Sequence, residues 1–197
     1  MARPAKYSTD VILDAARDIV VDAGPSALTV TAVTERLDAP SGSIYHRFGG
    51  RDQLAASLWV RCVDRFQQGY LERLAVPDPL EASLGAASHV VTFSRAHLGE
   101  ARLLMVFRSQ DLIHAAWPED LRRANLDLQR RLEKAIGRLQ SAFGATEPAT
   151  RHRIRFAVVD MPYAAVRPAL VAGKPPPPSA DALVIEIVEH LLRPLLQ

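Results

Sequence analysis

Three clusters of helix breakers, "AGPS" at 23–26, "DAPSG" at 38–42 and "GGRD" at 49–52, set the tightest limits on how this chain can fold. They leave two intervening stretches of about two helical turns each. In the first, Thr29 is an N-cap candidate and Val30, Val33 and Leu37 repeat at i, i+3 and i+7. In the second, running from about Pro40 or Ser41 to Phe48, Ile44 and Phe48 form an inner edge at i, i+4. A longer helix precedes them: Ser8 or Thr9 caps it, Asp10 sits in its first turn, and Val11, Ile12, Ala15, Ala16, Ile19 and Val20 make its apolar stripe. Gly24 suits its left-handed C′ position and Pro25 cannot continue it.

Helical spacing continues to the end of the chain. Asp52 opens a long fourth helix striped by Leu54, Leu58, Cys62 and Phe66 and broadened by Trp59, Val63 and Tyr70. Further helices are predicted over 80–97, 99–109, 118–143 and from Glu147 or Pro148 to about Val171. "GKPPPP" reads as a stiff extended linker, and Ser179 as the cap of a last apolar helix through Leu196. Strand alternation is absent, so the fold class is all-α with about nine helices. The expected division is residues 1–54, a three-helix unit, and residues 55–197, a larger helical domain.

A single cysteine, Cys62, permits no internal disulfide and fits a reducing compartment. No apolar run is long enough to span a membrane, and the N-terminus lacks a signal-peptide apolar region. A cytoplasmic protein with no membrane partner is expected. The net charge of +2 decides little, but its distribution is informative. Acids crowd Asp10 to Asp22, whereas Ala39 to Arg51 contains Arg47 and Arg51 and no acid. A local cationic strip survives where the average is near neutral.

Two short helices joined by a brief turn, the second small and polar on its outer face, satisfy the geometry of a helix-turn-helix. The first crosses the DNA backbone and the second enters the major groove. Small residues at the start of the second allow close approach to base edges and phosphates.

The run "TVTAVTERLDAPSGSIYHRFGGRDQL" resembles the N-terminal signature of the TetR family of bacterial one-component transcriptional regulators, with Thr29, Val30, Val33, Gly42, Ile44, Tyr45, Phe48, Arg51 and Leu54 on its positions. "VVDMPYAAVRPAL", with the proline linker and apolar helix after it, is similar to one subgroup of that family. The chain departs from the pattern at four places. Asp38 stands where the family has a turn Gly, Pro40 where it has a Ser cap, Arg51 where it has Lys, and Thr34 where it has Ala. Asp tolerates the left-handed region, so the turn is expected to survive. Arg51 is expected to keep a phosphate contact with altered geometry. The Thr34 hydroxyl is expected to bond to the i−4 carbonyl. Pro40 leaves the recognition-helix cap to Asp38, to the backbone or to nothing.

The resemblance implies that Tyr45 and Arg51 bind phosphates, that Thr29 and the turn after it, with Thr31, present a hydroxyl and amides to another, and that Ser41, Gly42, Ser43 and His46 face the groove. Arg47 is left between a base, a phosphate and solvent. Arg3 and Lys6 either reach the backbone or minor groove or remain in a solvated tail.

It further implies double-stranded DNA with a palindromic operator as partner, an unidentified small-molecule effector, a homodimer through the last two helices, and repression relieved by that effector. Large or polar groups interrupting apolar faces make the pocket candidates: Trp59, Phe66, His89, Phe93, Met105, Phe107, Arg108, His114, Trp117, Arg155, Phe156, Asp160 and Tyr163. Pro162 must kink its helix or expose a carbonyl. Leu183, Val184, Ile187, Val188, Leu191, Leu192 and Leu195 make a face wide enough either to join its copy in a four-helix bundle with Ala157 to Leu170, or to close its own core. No metal site and no cofactor are expected, since the six histidines show no ligand spacing and phosphate-binding glycine motifs are missing. An enzyme is therefore not expected. A helical protein-interaction module, or an enzyme with a site assembled from distant residues, are the alternatives.

Overall fold

The computed structural model describes residues 7–106 and 117–196, and its regular elements are all helical among these residues. They divide into two compact units, one drawn from Met1–Val63 and Arg102–Asn125, the other from Asp64–Ala101 and Leu126–Gln197. No helix of the described residues is long and apolar enough to cross a membrane.

The first unit opens with α1 (Thr9–Ala23), α2 (Val30–Leu37) and α3 (Ser41–Phe48), followed by α4 (Arg51–Leu74), whose early residues belong to this unit. Ser8 caps α1, its Oγ accepting from the Val11 amide at 3.3 Å, and Ile12, Ala15, Ala16, Ile19 and Val20 are buried as their spacing predicts. Val11 is the exception: it lies on the exposed side. These α1 residues share one core with Leu28, Val33, Ile44, Phe48, Leu54, Leu58, Cys62, Leu103 and Trp117. The segments outside α2 and α3 therefore supply most of the apolar surface on which those two short helices rest. That matters because a two-turn helix has little stability of its own.

The second unit is organised on α5 (Pro79–Ala96), which packs against the two last helices and the turn before them. Its buried residues, among them Ala82, Ser83, Ala86, Ala87, Val90 and Val91, run round more than one face, and the small ones let neighbouring helices approach closely. Helices α6 (Leu98–Val106) and α7 (Glu119–Ala142) divide their residues between the two units, and this unit also contains α8 (Pro148–Arg155), α9 (Met161–Val171) and α10 (Ser179–Leu192). The predicted helix over 99–109 thus starts one residue earlier, and its end lies outside the described residues. Ser179 is the first residue of α10 rather than its cap: Pro178 holds the cap position, so no side chain caps this helix. The proline linker is pinned instead from α5. Arg95 donates to the Pro176 and Pro177 carbonyls, both at 3.2 Å, and to Asp181 at 2.6 Å.

A π-helical turn, Phe156–Asp160, joins α8 to α9 immediately before Pro162. The carbonyl that Pro162 leaves without its i+4 amide is that of Val158, and the buried Tyr70 hydroxyl donates to it at 2.7 Å. Burial raises the Tyr70 pKa, so the phenol stays protonated and remains a donor. Replacing Tyr70 by Phe is expected to lower the unfolding free energy by about 1–3 kcal/mol, the cost of a buried carbonyl losing its donor. Urea denaturation checks this, and a loss well below that range would mean that the carbonyl is served by another group.

Candidate DNA-contact surface

Thr29 caps α2 with extended backbone, its Oγ1 accepting from the Ala32 amide at 2.9 Å. Val30 and Val33 turn inward, leaving Thr31 exposed beside the cap. Thr34 donates to the carbonyl of Thr31 at 2.7 Å, so the expected i−4 bond is an i−3 bond. The helix ends on Asp38 at φ 48°, ψ 48°, the left-handed conformation expected of the residue in the turn-glycine position. Two bonds seal that turn: Ala39 N–H reaches the Thr34 carbonyl at 3.0 Å, and Tyr7 OH donates to the Asp38 carbonyl at 2.8 Å. The role of Tyr7 escaped sequence reading because no periodicity connects residue 7 to residue 38.

Pro40 takes the N-cap position of α3 without a side-chain bond, and Ser43 N–H closes the first turn on the Pro40 carbonyl at 3.0 Å. Ile44 and Phe48 are buried, 0% and 4% exposed, and fix the helix to the first unit's core. With that edge inward, Ser41, Gly42, Tyr45, His46 and Arg47 are exposed and Ser43 is half-buried. Tyr45, at 55%, is an exposed aromatic. Arg47 folds back on its helix and donates to the Ser43 carbonyl at 2.8 Å. Gly49, at φ 65°, ends α3 in the left-handed region that glycine reaches without strain.

The acids of α1 have cationic partners. Arg17 bonds Asp18 and Asp14, Arg61 reaches Asp14 at 2.9 Å, and Arg36 reaches Asp22 at 3.2 Å. Their negative field is thereby offset, while the stretch from Ala39 to Gly50 carries no acid to repel a phosphate. Arg51 turns its fork toward the backbone before α2. Its Nε donates to the Leu28 carbonyl at 2.9 Å, its Nη2 to the Pro25 carbonyl at 3.1 Å, and its Nη1 pairs with Asp52 at 3.0 Å.

The pocket candidates are divided between the two units. Trp59 and Trp117 are buried together in the first unit, ring centroids 6.5 Å apart, and Met105 is half-buried in α6. Phe66, His89 and Phe93 meet in the second unit, where Tyr70 and His97 complete an aromatic cluster. His89 Nε2 donates to the Phe66 carbonyl at 3.0 Å, and its ring lies so close to Gly69 that a Cβ there would come within 2.5 Å. Burial lowers its pKa, outweighing the opposing pull of that carbonyl. Arg155 pairs with Glu133 at 3.0 Å; Phe156 and Asp160, the two ends of the π turn, and Tyr163 just after it are exposed. Phe107, Arg108 and His114 lie outside the described residues, as do Arg3 and Lys6. Among the described residues no group of three His, Cys, Asp or Glu side chains is placed to hold a metal.

A capped two-turn helix, a left-handed turn and a second short helix anchored by two buried residues make a helix-turn-helix, a motif of DNA-binding proteins. Residues 12–58 match the family model described as bacterial regulatory proteins, tetR family. No curated protein matches the chain by sequence. Solved structures with the same fold include a TetR family regulator from Marinobacter aquaeolei, with TM-score 0.72 and 14% identity over 93% of this chain and 94% of that one. A TetR-family regulator from Streptomyces coelicolor gives 0.61 and 22% over 95% and 99%. The ketosteroid regulator KstR2 of Mycobacterium tuberculosis gives 0.65 and 17% over 98% of both chains. Residues 12–58 thus carry the N-terminal domain of the tetR family, and the chain as a whole shares the fold of these TetR-family regulators.

Proposed function

We propose that this regulator is a homodimeric repressor, with residues 1–54 reading a palindromic operator and residues 55–197 binding a small effector that releases it. The observation that carries this reading is the outer face of α3: Ser41, Gly42, Tyr45 and His46 stand exposed and acid-free above the Ile44 and Phe48 anchors. Small residues at the helix start suit close approach to base edges, and His46 offers ring nitrogens to them. Tyr45 presents a phenol to a phosphate. The Thr29 hydroxyl, whose oxygen is occupied by the Ala32 amide, still has its proton to donate to another.

Dimerisation is supported by the second unit. Val184, Val188 and Leu192 are buried, but Leu183 is 50% exposed on the same helix, and Phe156, Tyr163 and Val171 are exposed nearby in sequence on α9 and the turn before it. Because α9 and α10 pack on one another, their exposed apolar residues offer a surface for a second copy. Effector binding is assigned to the same unit. A ligand thermal-shift screen identifies the chemistry of this chain's effector.

Replacing Tyr45 by Phe tests the contact surface. Affinity for a palindromic duplex selected from a randomised pool is expected to fall about 10- to 100-fold, as for loss of a hydrogen bond to a charged group, with the thermal midpoint unchanged. Fluorescence anisotropy reads the affinity, and an unchanged value removes Tyr45 from the contact surface.

A further inference from the structure

Arg51 sits where a phosphate-gripping cation is expected, yet its fork is turned into the protein. Leu28 and Pro25, whose carbonyls it engages, belong to the turn that ends one residue before the Thr29 cap of α2. Arg51 itself is the first residue of α4, two residues beyond the Gly49 that closes α3. One guanidinium therefore ties the chain entering the helix-turn-helix to the chain leaving it. Leu28 is fully buried, so the turn that Arg51 grips is itself seated in the core. The Asp52 carboxylate, 3.0 Å away, offsets the charge that a phosphate would need.

We propose that Arg51 is a positioning residue for DNA binding, a bracket that fixes the α2 cap and the start of α4 in register, rather than a phosphate contact. This role requires the planar fork. Nε and Nη2 donate side by side from one rigid guanidinium edge to two separate carbonyls, whereas a lysine ammonium is a single point at the end of a flexible stem. The arginine that departs from the family pattern is thus the residue that makes the bracket. The inference rests on reading α2 and α3 as the DNA-binding element.

Arg51→Lys and Arg51→Gln, made in the full chain, separate the two roles. Against the duplex selected by the wild-type protein, both variants are expected to bind about tenfold more weakly. The slope of log affinity against log salt is expected to stay at the wild-type value. A phosphate contact would instead let Arg51→Lys bind as wild type, and Arg51→Gln would flatten the slope by about 0.9. In free protein, amide hydrogen exchange at residues 29–33 is expected to quicken in both variants. Wild-type exchange there, or wild-type affinity in Arg51→Lys, overturns the proposal. Because the exchange measurement needs no DNA, it judges the bracket even if the wild-type protein selects no duplex, a result that would refute the DNA-binding reading instead.

Discussion

Replacing Phe48 by Ala is expected to remove about 3–5 kcal/mol from the stability of the first unit, the range for truncating a buried Phe. The side chain is nearly fully buried and, with Ile44, is one of two residues that attach α3 to the core. An eight-residue helix cannot hold its shape in water without such anchorage. Since whole domains are stable by only about 5–15 kcal/mol, much of the first unit's margin disappears and DNA binding goes with it. Both tryptophans, Trp59 and Trp117, lie in that unit's core, so intrinsic fluorescence during urea denaturation reports on it. The exposed His46 provides the contrast: His46→Ala is expected to leave stability within about 0.5 kcal/mol while weakening DNA binding. A Phe48→Ala chain that unfolds at the wild-type urea concentration would mean that α3 is held by something other than this edge.

Leu183→Glu is expected to convert dimers into monomers and to weaken binding to a palindromic duplex on the order of 100-fold, the avidity lost when two linked reading heads become one. The position suits the test because Leu183 is half-exposed on α10, and a carboxylate there faces solvent in the monomer. A change at Val184, Val188 or Leu192 would damage the unit's own core and confuse dissociation with unfolding. Sedimentation velocity gives the mass and circular dichroism confirms the fold. A Leu183→Glu chain that still sediments as a dimer would place the interface elsewhere.

Much of the fold was legible because breakers and periodicity act locally. "AGPS", "DAPSG" and "GGRD" stop helices wherever the rest of the chain lies, and Asp38 adopts the left-handed turn that its side chain tolerates. The outward set on α3 followed from the inward pair Ile44 and Phe48 in the same way. What could not be read depends on which segments meet. The bond from Tyr7 to Asp38 spans residues with no shared pattern, and the Arg51 bracket joins a side chain to two carbonyls, groups that every residue carries. Pro162 did announce a lost bond, but nothing in its neighbourhood named Tyr70 as the donor that repairs it. The pocket candidates show the same limit. A large residue on an apolar stripe is marked as inward, but its partners are not: Trp59 pairs with Trp117 within the first unit, and Phe66 joins His89 and Phe93 within the second.

The central claim is that the exposed face of α3 reads DNA as one of a pair. Selection of duplexes from a randomised pool, followed by anisotropy titration of the winner from about 50 to 200 mM salt, tests it most directly. The account predicts an enriched palindrome, two chains bound per duplex, and affinity that falls steeply as salt rises. No enriched sequence, or binding indifferent to salt and to Tyr45→Phe, would contradict it.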